Sequence, residues 1–257
     1  MMIQPRRIAV VTGASRVQGI GAAVCRALAA QNVDIFFTSW GKYDQDLYGK
    51  EEGGPKELLK EVRALGVRCE SLETDLGLPQ SAKQIMDEVE VRLGPPSILV
   101  NNATHDDTKA SFDQLDAGIL DAYYAVNMRG TILLSVEFAR RFLHSSGGRI
   151  INLTSGQGVA AMPGKIPYVA TKGAIEAFTV TLAAEVASRG ITVNAVDPGP
   201  TDTGWISADP ELKKVLLGVA PLGRLGQPED AARVIAFLAS EAAQWITGQI
   251  IHSRGGF

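Results

Sequence analysis

Two side chains with complementary acid–base chemistry lie four residues apart in the second half of the chain. Tyr168 and Lys172 fall in residues 168–188, whose apolar spacing predicts a long helix. Positions i and i+4 share a helix face, so the phenol and the ammonium group are expected to be neighbours. A tyrosine with a pKa near 10 is only about 0.1% ionised at pH 7, and a nearby lysine charge favours the phenolate. The pair predicts a proton donor and acceptor.

Three glycines follow the first predicted strand. Gly13, Gly19 and Gly21 lie between that strand and a predicted helix. Helix N termini bind phosphate groups because free N–H groups and the helix dipole point at the anion, and glycine lets the backbone come close. The spacing Gly-x5-Gly-x-Gly differs from the common Gly-x-Gly-x-x-Gly. The position still favours a nucleotide pyrophosphate site over a plain turn.

Short apolar runs alternate with amphipathic stretches along the whole chain. Strands are predicted at residues 7–11, 34–38, 67–72, 97–101, 149–153, 191–196 and 249–252. Helices are predicted at residues 20–30, 55–65, 81–93, 115–143 (as one or two helices), 168–188 and 228–238. This alternation predicts an α/β fold in one domain over residues 1–257, a Rossmann-type doubly wound seven-stranded parallel sheet with helices on both faces.

Two longer segments interrupt the alternation. Residues 39–54 are predicted to form a polar loop, and residues 197–221 follow the sixth strand with four prolines. Both begin at the carboxyl ends of strands, where open α/β sheets bind ligands.

The composition excludes several classes of protein. The 257 residues are 46% hydrophobic with a net charge of −3, which argues against a disordered or nucleic-acid-binding chain. No apolar run approaches the ~20 residues that span a bilayer. The first residues are too short for a secretory signal peptide, so a cytoplasmic location is expected. Cys25 and Cys69 are not a disulfide framework, and no clustered ligands predict a metal site.

Five blocks in register resemble the classical short-chain dehydrogenase/reductase family over nearly the whole chain. They are the glycine loop, Asn101-Asn102-Ala103, Asn127, Ser155 with Tyr168-x3-Lys172, and Asp197-Pro198-Gly199-Pro200-Thr201-Asp202-Thr203. The C-terminal part resembles 3-oxoacyl-[acyl-carrier-protein] reductases. Three features depart from the family pattern: Val17 and Gln18 lengthen the glycine loop, Thr104 replaces a glycine, and Arg254 replaces an acidic residue.

The resemblance implies a catalytic tetrad of Asn127, Ser155, Tyr168 and Lys172. Ser155 would hold the substrate oxygen beside Tyr168, which exchanges a proton with it. Lys172 would also hold the nicotinamide ribose, and oxidised nicotinamide would help it to lower the pKa of Tyr168. Asn127 would bend its helix, so that its main-chain carbonyl links Lys172 to solvent through a water molecule.

The resemblance also implies a set of cofactor contacts around the glycine loop and the following strand ends. The set is Gly13, Ser15, Arg16, Gly19, Ile20, Gly21, Ser39, Trp40, Lys42, Asp75, Leu76, Asn102, Ala103, Tyr168, Lys172, Pro198, Gly199, Thr201 and Thr203. Within it, Asp75 would meet the adenine amino group, although a role at a helix N terminus is the alternative. Trp40 would stack on adenine or simply cover the loop.

NADP(H) is the expected cofactor, with NAD(H) also possible. Enzymes of this type that prefer NAD place an acid at the end of the second strand. Here that position is Ser39, and no carboxylate occurs before Asp44. Arg16 and Lys42 are candidates to bind a 2′-phosphate.

The predicted activity is hydride transfer between NADP(H) and a carbonyl or secondary alcohol, with a 3-oxoacyl thioester or another ketone as the favoured substrate. Alternatives are a sugar or polyol dehydrogenase and a catalytically silent nucleotide-sensing regulator. Substrate specificity is assigned to residues 104–110, 157–165 and 203–220, the last of which lies in a substrate loop of about 199–222. His105, Asp106 and Asp107 are candidates to line the substrate pocket. The alternative is that they form a solvated loop.

A small-molecule substrate is the expected partner, with no nucleic acid and no membrane. Arg189 matches a position that contacts acyl carrier protein in some relatives, so a carrier-bound or CoA thioester is one option. A homotetramer is also expected, because two predicted helices have apolar residues on more than one face. These residues are Ile132, Leu133, Val136, Phe138, Ala174, Phe178, Leu182 and Val186.

Overall fold

A parallel seven-stranded sheet forms the centre of the protein. The computed structural model describes residues 6–49, 53–106, 111–143 and 147–257. The strands are β1 Ile8–Val11, β2 Asp34–Ser39, β3 Cys69–Glu73, β4 Ile98–Asn101, β5 Gly148–Leu153, β6 Ile191–Asp197 and β7 Ile250–His252. Their order is β3-β2-β1-β4-β5-β6-β7, and every pair is parallel. The order reverses after β1, so the predicted doubly wound Rossmann-type sheet is confirmed.

Helices cover both faces of this sheet. They are α1 Ile20–Ala29, α2 Gly41–Tyr48, α3 Gly54–Ala64, α4 Ser81–Arg92, α5 Ala117–Tyr123, α6 Thr131–Arg141, α7 Ile166–Val186, α8 Pro210–Gly218 and α9 Pro228–Ala239. A π-helical turn, Tyr124–Gly130, joins α5 to α6. Among the helices of the described ranges, none is both long and apolar enough to cross a membrane.

Two apolar cores result, one on each side of the sheet. Successive strand residues point to opposite faces, so Phe37 packs with α1, α3 and α9 while Phe36 packs with α4, α6 and α7. The central strands are buried on both faces, which explains their continuous apolar runs. Buried polar residues end three of the strands, Ser39 on β2, Asn101 on β4 and Asp197 on β6, and the site forms at this edge.

The polar segments contain more regular structure than the sequence predicted. Residues 39–54 were expected to form a loop, and the structure has α2 there. The sequence did not predict α2 because the helix is short and polar. Its stability comes from the packing of Trp40 and Tyr43 rather than from the helix propensity of its residues. Similarly, α8 lies inside the proline-containing segment, where the Asp209 carboxylate accepts a hydrogen bond from the Leu212 amide at 3.0 Å.

Candidate active site

The glycine loop packs directly against the end of β4. Gly13 has φ +69°, and a Cβ there would lie 2.7 Å from the Ala103 Cα. The Asn102 side-chain amide donates to the carbonyl oxygens of Thr12 and Gly13 at 2.9 and 2.8 Å. A Cβ on Gly21 would collide with that same amide at 2.7 Å. Glycine is therefore required at Gly13 by backbone conformation and space, and at Gly21 by space.

The lengthened loop is accommodated by a tight turn. The Gly19 amide donates to the Arg16 carbonyl at 2.9 Å, so Val17 and Gln18 occupy the turn and α1 still begins at Ile20. Gly19 has no side chain to cap the first amides of α1. Gly19, Ile20 and Gly21 line a cleft of about 930 Å³, counting the space at its open mouth. This is the arrangement that binds a pyrophosphate.

Most of the predicted cofactor residues line this cleft. They are Gly13, Ser15, Arg16, Gly19, Ile20, Gly21, Ser39, Trp40, Leu76, Asn102, Ala103 and Thr203. Thr104 and His105, which the sequence analysis placed at the substrate pocket, line the cleft too. The further lining residues, which the sequence did not predict, are Thr38, Tyr43, Asp44, Thr74 and Val126. Tyr43 and Asp44 were missed because their segment was interpreted as a loop.

The other predicted cofactor residues do not line the cleft. They are Lys42, Asp75, Tyr168, Lys172, Pro198, Gly199 and Thr201. Lys42 is exposed on α2. The Asp75 carboxylate accepts a hydrogen bond from the Gly77 amide at 2.7 Å, so it stabilises the turn before α4 and is not the N-cap of that helix, which is Gln80.

Arg16 lines the cleft but also reaches across it. Its guanidinium donates to the Thr203 carbonyl oxygen at 2.8 Å. The glycine loop is therefore bound to the segment that follows β6, on the opposite side of the cleft.

Ser155, Tyr168 and Lys172 meet at the end of β5. Ser155, just after β5, lies close enough to the Tyr168 hydroxyl to favour its phenolate form. The Lys172 Nζ lies 5.6 Å from the centre of the Tyr168 ring and donates to the Leu153 carbonyl oxygen at 2.9 Å. The i,i+4 spacing on α7 thus places the ammonium group beside the phenol, as the sequence predicted.

Burial controls the acidity of this pair. Desolvation raises the pKa of Tyr168 to about 12, opposed by the interaction with Ser155. Desolvation also lowers the pKa of Lys172 to about 8, opposed by the charge of Asp106. The expected lowering of the Tyr168 pKa is wrong for the side chains of the protein alone, because loss of solvent outweighs the opposing effect of Ser155.

Asn127 lies in the π-helical turn, where the sequence predicted a bend. Its side-chain oxygen accepts from the His105 amide at 2.7 Å, and its nitrogen donates to the His105 carbonyl and to the Thr171 hydroxyl at 3.0 and 3.1 Å. The side chain therefore holds the segment after β4 against α7. Of the specificity segment 104–110, residues 107–110, which include Asp107, lie outside the described residues.

Arg254, which departs from the family pattern, neutralises a buried carboxylate. Its Nη1 lies 2.9 Å from the carboxylate of Asp197, which is 1% exposed, and the His252 Nδ1 lies 3.0 Å from the same oxygen. A Cβ on Gly156 would come within 2.0 Å of that Nη1. The guanidinium thus packs on the backbone next to Ser155.

Comparisons with known proteins agree with this geometry. The family model for enoyl-(acyl carrier protein) reductase matches residues 13–257. The chain is 51% identical to the uncharacterized oxidoreductase YjdA of Bacillus subtilis, over 98% of this chain and 96% of that protein. It is 35% identical to a 3-oxoacyl-[acyl-carrier-protein] reductase of Staphylococcus epidermidis, over 96% and 97% of the two chains.

A solved structure with a bound nucleotide has the same fold. A blue fluorescent protein from a metagenomic library, in complex with NADPH, superposes with a TM-score of 0.87 at 33% identity, covering 98% of both chains. Together with the sheet order, the glycine cleft and the Ser155–Tyr168–Lys172 group, these matches lead to one conclusion. The chain belongs to the short-chain dehydrogenase/reductase family and is an oxidoreductase that acts on carbonyl or alcohol groups.

Proposed function

We propose that this protein reduces a ketone with NADP(H), and oxidises the corresponding secondary alcohol in reverse, with Tyr168 exchanging the proton. The observation that carries the proposal is that the Lys172 ammonium group lies 5.6 Å from the centre of the Tyr168 ring, with Ser155 close enough to the phenol to oppose the rise in its pKa. Ser155 provides a donor that holds the carbonyl oxygen, and Tyr168 provides the proton. The charge of Lys172 stabilises the phenolate that remains.

The cofactor would supply the hydride. The α1 amides at Gly19, Ile20 and Gly21 suit its pyrophosphate, and the bare backbone of Gly13 permits its close approach. A Tyr168 pKa of about 12 keeps the phenol protonated at neutral pH, ready to donate. Ser155 holds the substrate oxygen beside it. Lys172 stays largely charged below its pKa of about 8 and stabilises the phenolate after transfer.

The preference for NADP(H) is supported by Ser39 at the end of β2, where an acid would repel a 2′-phosphate, and by Arg16 in the cleft wall. The NADPH complex of a 33% identical protein supports it further. The test is the ratio of kcat/KM for NADPH and NADH in wild type, Arg16→Ala and Lys42→Ala. A wild-type ratio that favours NADH, or a ratio indifferent to both substitutions together, contradicts this preference.

A 3-oxoacyl thioester is the substrate class that we favour. The support is the 35% identity to a Staphylococcus epidermidis protein named for that reaction. We assign substrate contact to residues 199–222, which include α8 and reach the cleft at Thr203. A panel of β-keto thioesters, diketones, sugars and steroids, each with NADPH and NADH, tests the assignment. Turnover of sugars or polyols above that of every keto compound contradicts it.

We also propose a homotetramer assembled through the outer faces of α6 and α7. Of the residues that the sequence predicted for these interfaces, Phe138, Leu182 and Val186 are buried within the apolar core, so they do not contribute. Leu133 on α6 remains 40% exposed, and Val180 on α7, which the sequence analysis did not name, is 51% exposed. This narrower apolar face supports a second partner for both helices.

A further inference from the structure

Helix α2 places one carboxylate on the wall of the cleft that also contains Ser39. Asp44 lines the cleft together with Ser15, Arg16 and Trp40. The end of β2 has no acid, because Ser39 is there. The structure nevertheless brings a carboxylate to the same end of the cleft from the helix that follows.

The surroundings of Asp44 are the hydrogen-bond donors that a phosphate would use. Ser15 and Arg16 line the cleft beside Asp44, and both act on its carboxylate. The Ser15 hydroxyl oxygen accepts from the Trp40 amide at 3.2 Å. Burial raises the pKa of Asp44, while Ser15 and Arg16 oppose that effect. The half-buried carboxylate thus interacts with the glycine loop.

Contacts at the other side of the cleft fix the orientation of α2. The Tyr43 hydroxyl oxygen accepts from the Asp106 amide at 2.8 Å. The Tyr43 ring stacks on Trp40, with centroids 6.0 Å apart, and also contacts the His105 ring at 5.5 Å. Because Tyr43 precedes Asp44 directly, these contacts hold the carboxylate toward Ser15.

We propose that Asp44 is a specificity residue that opposes a 2′-phosphate on the adenosine ribose and thereby limits the preference for NADP(H) over NAD(H). The inference rests on the proposed function, since it concerns the same nucleotide site. Asp44 acts in two ways. It repels the phosphate charge, and it offsets part of the field of Arg16 that would otherwise stabilise that charge. Neutralising Asp44 should therefore strengthen NADP(H) binding selectively.

Two nucleotide fragments isolate this effect. The compounds 2′,5′-ADP and 5′-AMP differ only in the 2′-phosphate, and calorimetric titration measures their affinities without any turnover. For Asp44→Asn, which keeps the shape and removes the charge, the affinity ratio of 2′,5′-ADP to 5′-AMP should rise about ten- to hundredfold over wild type. Asp44→Ser should shift the ratio in the same direction.

Asp46→Asn is the matched control. Asp46 lies on the same helix but is exposed, and it is not a lining residue of the cleft. Its neutralisation changes the net charge equally and should shift the ratio less than about twofold, because exposed charges are screened. A rise below about fivefold in both Asp44 variants, or an equal rise in Asp46→Asn, overturns the inference while leaving the nucleotide site intact. Failure of wild type to bind either fragment instead overturns the proposed function, and the inference with it.

Discussion

Lys172 carries a positive charge into the interior of the protein. Its side chain is 4% exposed, and burial lowers its pKa to about 8. The unfolded chain has a lysine pKa near 10.4, so the folded state binds fewer protons between these two values. Stability contributed at this position therefore increases as the pH rises from about 8 to about 10.4, and at pH 7 the buried charge is a cost. We attribute this loss of stability to the positive charge that the proposed mechanism requires beside Tyr168.

Lys172→Met removes that charge with little change in shape. The variant should lose turnover but gain about 1–3 kcal/mol in free energy of unfolding at pH 7, after the lost hydrogen bond to Leu153 is subtracted. This gain in free energy of unfolding should be smaller at pH 9.5, where Lys172 of the folded wild type has lost most of its proton. Urea unfolding at both pH values measures it. Lys83→Met, at an exposed lysine, is the control and should change stability by less than about 0.5 kcal/mol.

The Lys172 interpretation fails if the variant is less stable than wild type at pH 7. It also fails if its stability gain is the same at both pH values, since a buried charge must give a pH-dependent difference.

At the scale of elements, the glycine loop and β4 are held together by the backbone of Gly13. Gly13→Ala adds both a φ penalty and a clash with Ala103, whereas Gly66, with φ +84°, has open space where a Cβ would lie. Gly66→Ala therefore measures the φ penalty alone, about 1 kcal/mol. Gly13→Ala should lower the free energy of unfolding by clearly more than Gly66→Ala does, and it should abolish binding of 5′-AMP. Equal costs for the two variants, with binding retained, contradict the close packing described for the loop.

The sequence predicted the strands, the glycine cleft and the Tyr168–Lys172 pair because each has a local signal. Periodicity marks the strands, and the spacing of Tyr168 and Lys172 needs only one helix. The sequence did not predict α2, whose position depends on contacts of Tyr43 with residues about sixty positions away. Nor did it predict the Tyr168 pKa, because desolvation is set by the complete fold.

At the scale of the molecule, the proposed assembly depends on the outer face of α7. Val180 is 51% exposed there, and Val91 on α4 is 85% exposed on a different helix. Wild type should scatter light as a species of about four times 27.3 kDa at micromolar concentration. Val180→Arg should give a smaller species, because a charge at an apolar interface is left without a partner. Val91→Arg, the control, should match wild type. A wild-type mass near that of one chain contradicts the tetramer.

The whole account depends most directly on the proton that Tyr168 exchanges. Tyr168→Phe removes only the phenol hydroxyl, whose acidity Ser155 influences. On the best keto substrate of the panel, NADPH-dependent turnover should fall by ~10²–10⁴-fold, the usual contribution of acid–base catalysis. Binding of NADPH should change little, and Tyr124→Phe, at a tyrosine that is 45% exposed, should keep wild-type turnover. Retention of more than about a tenth of wild-type turnover by Tyr168→Phe would contradict the proposed mechanism.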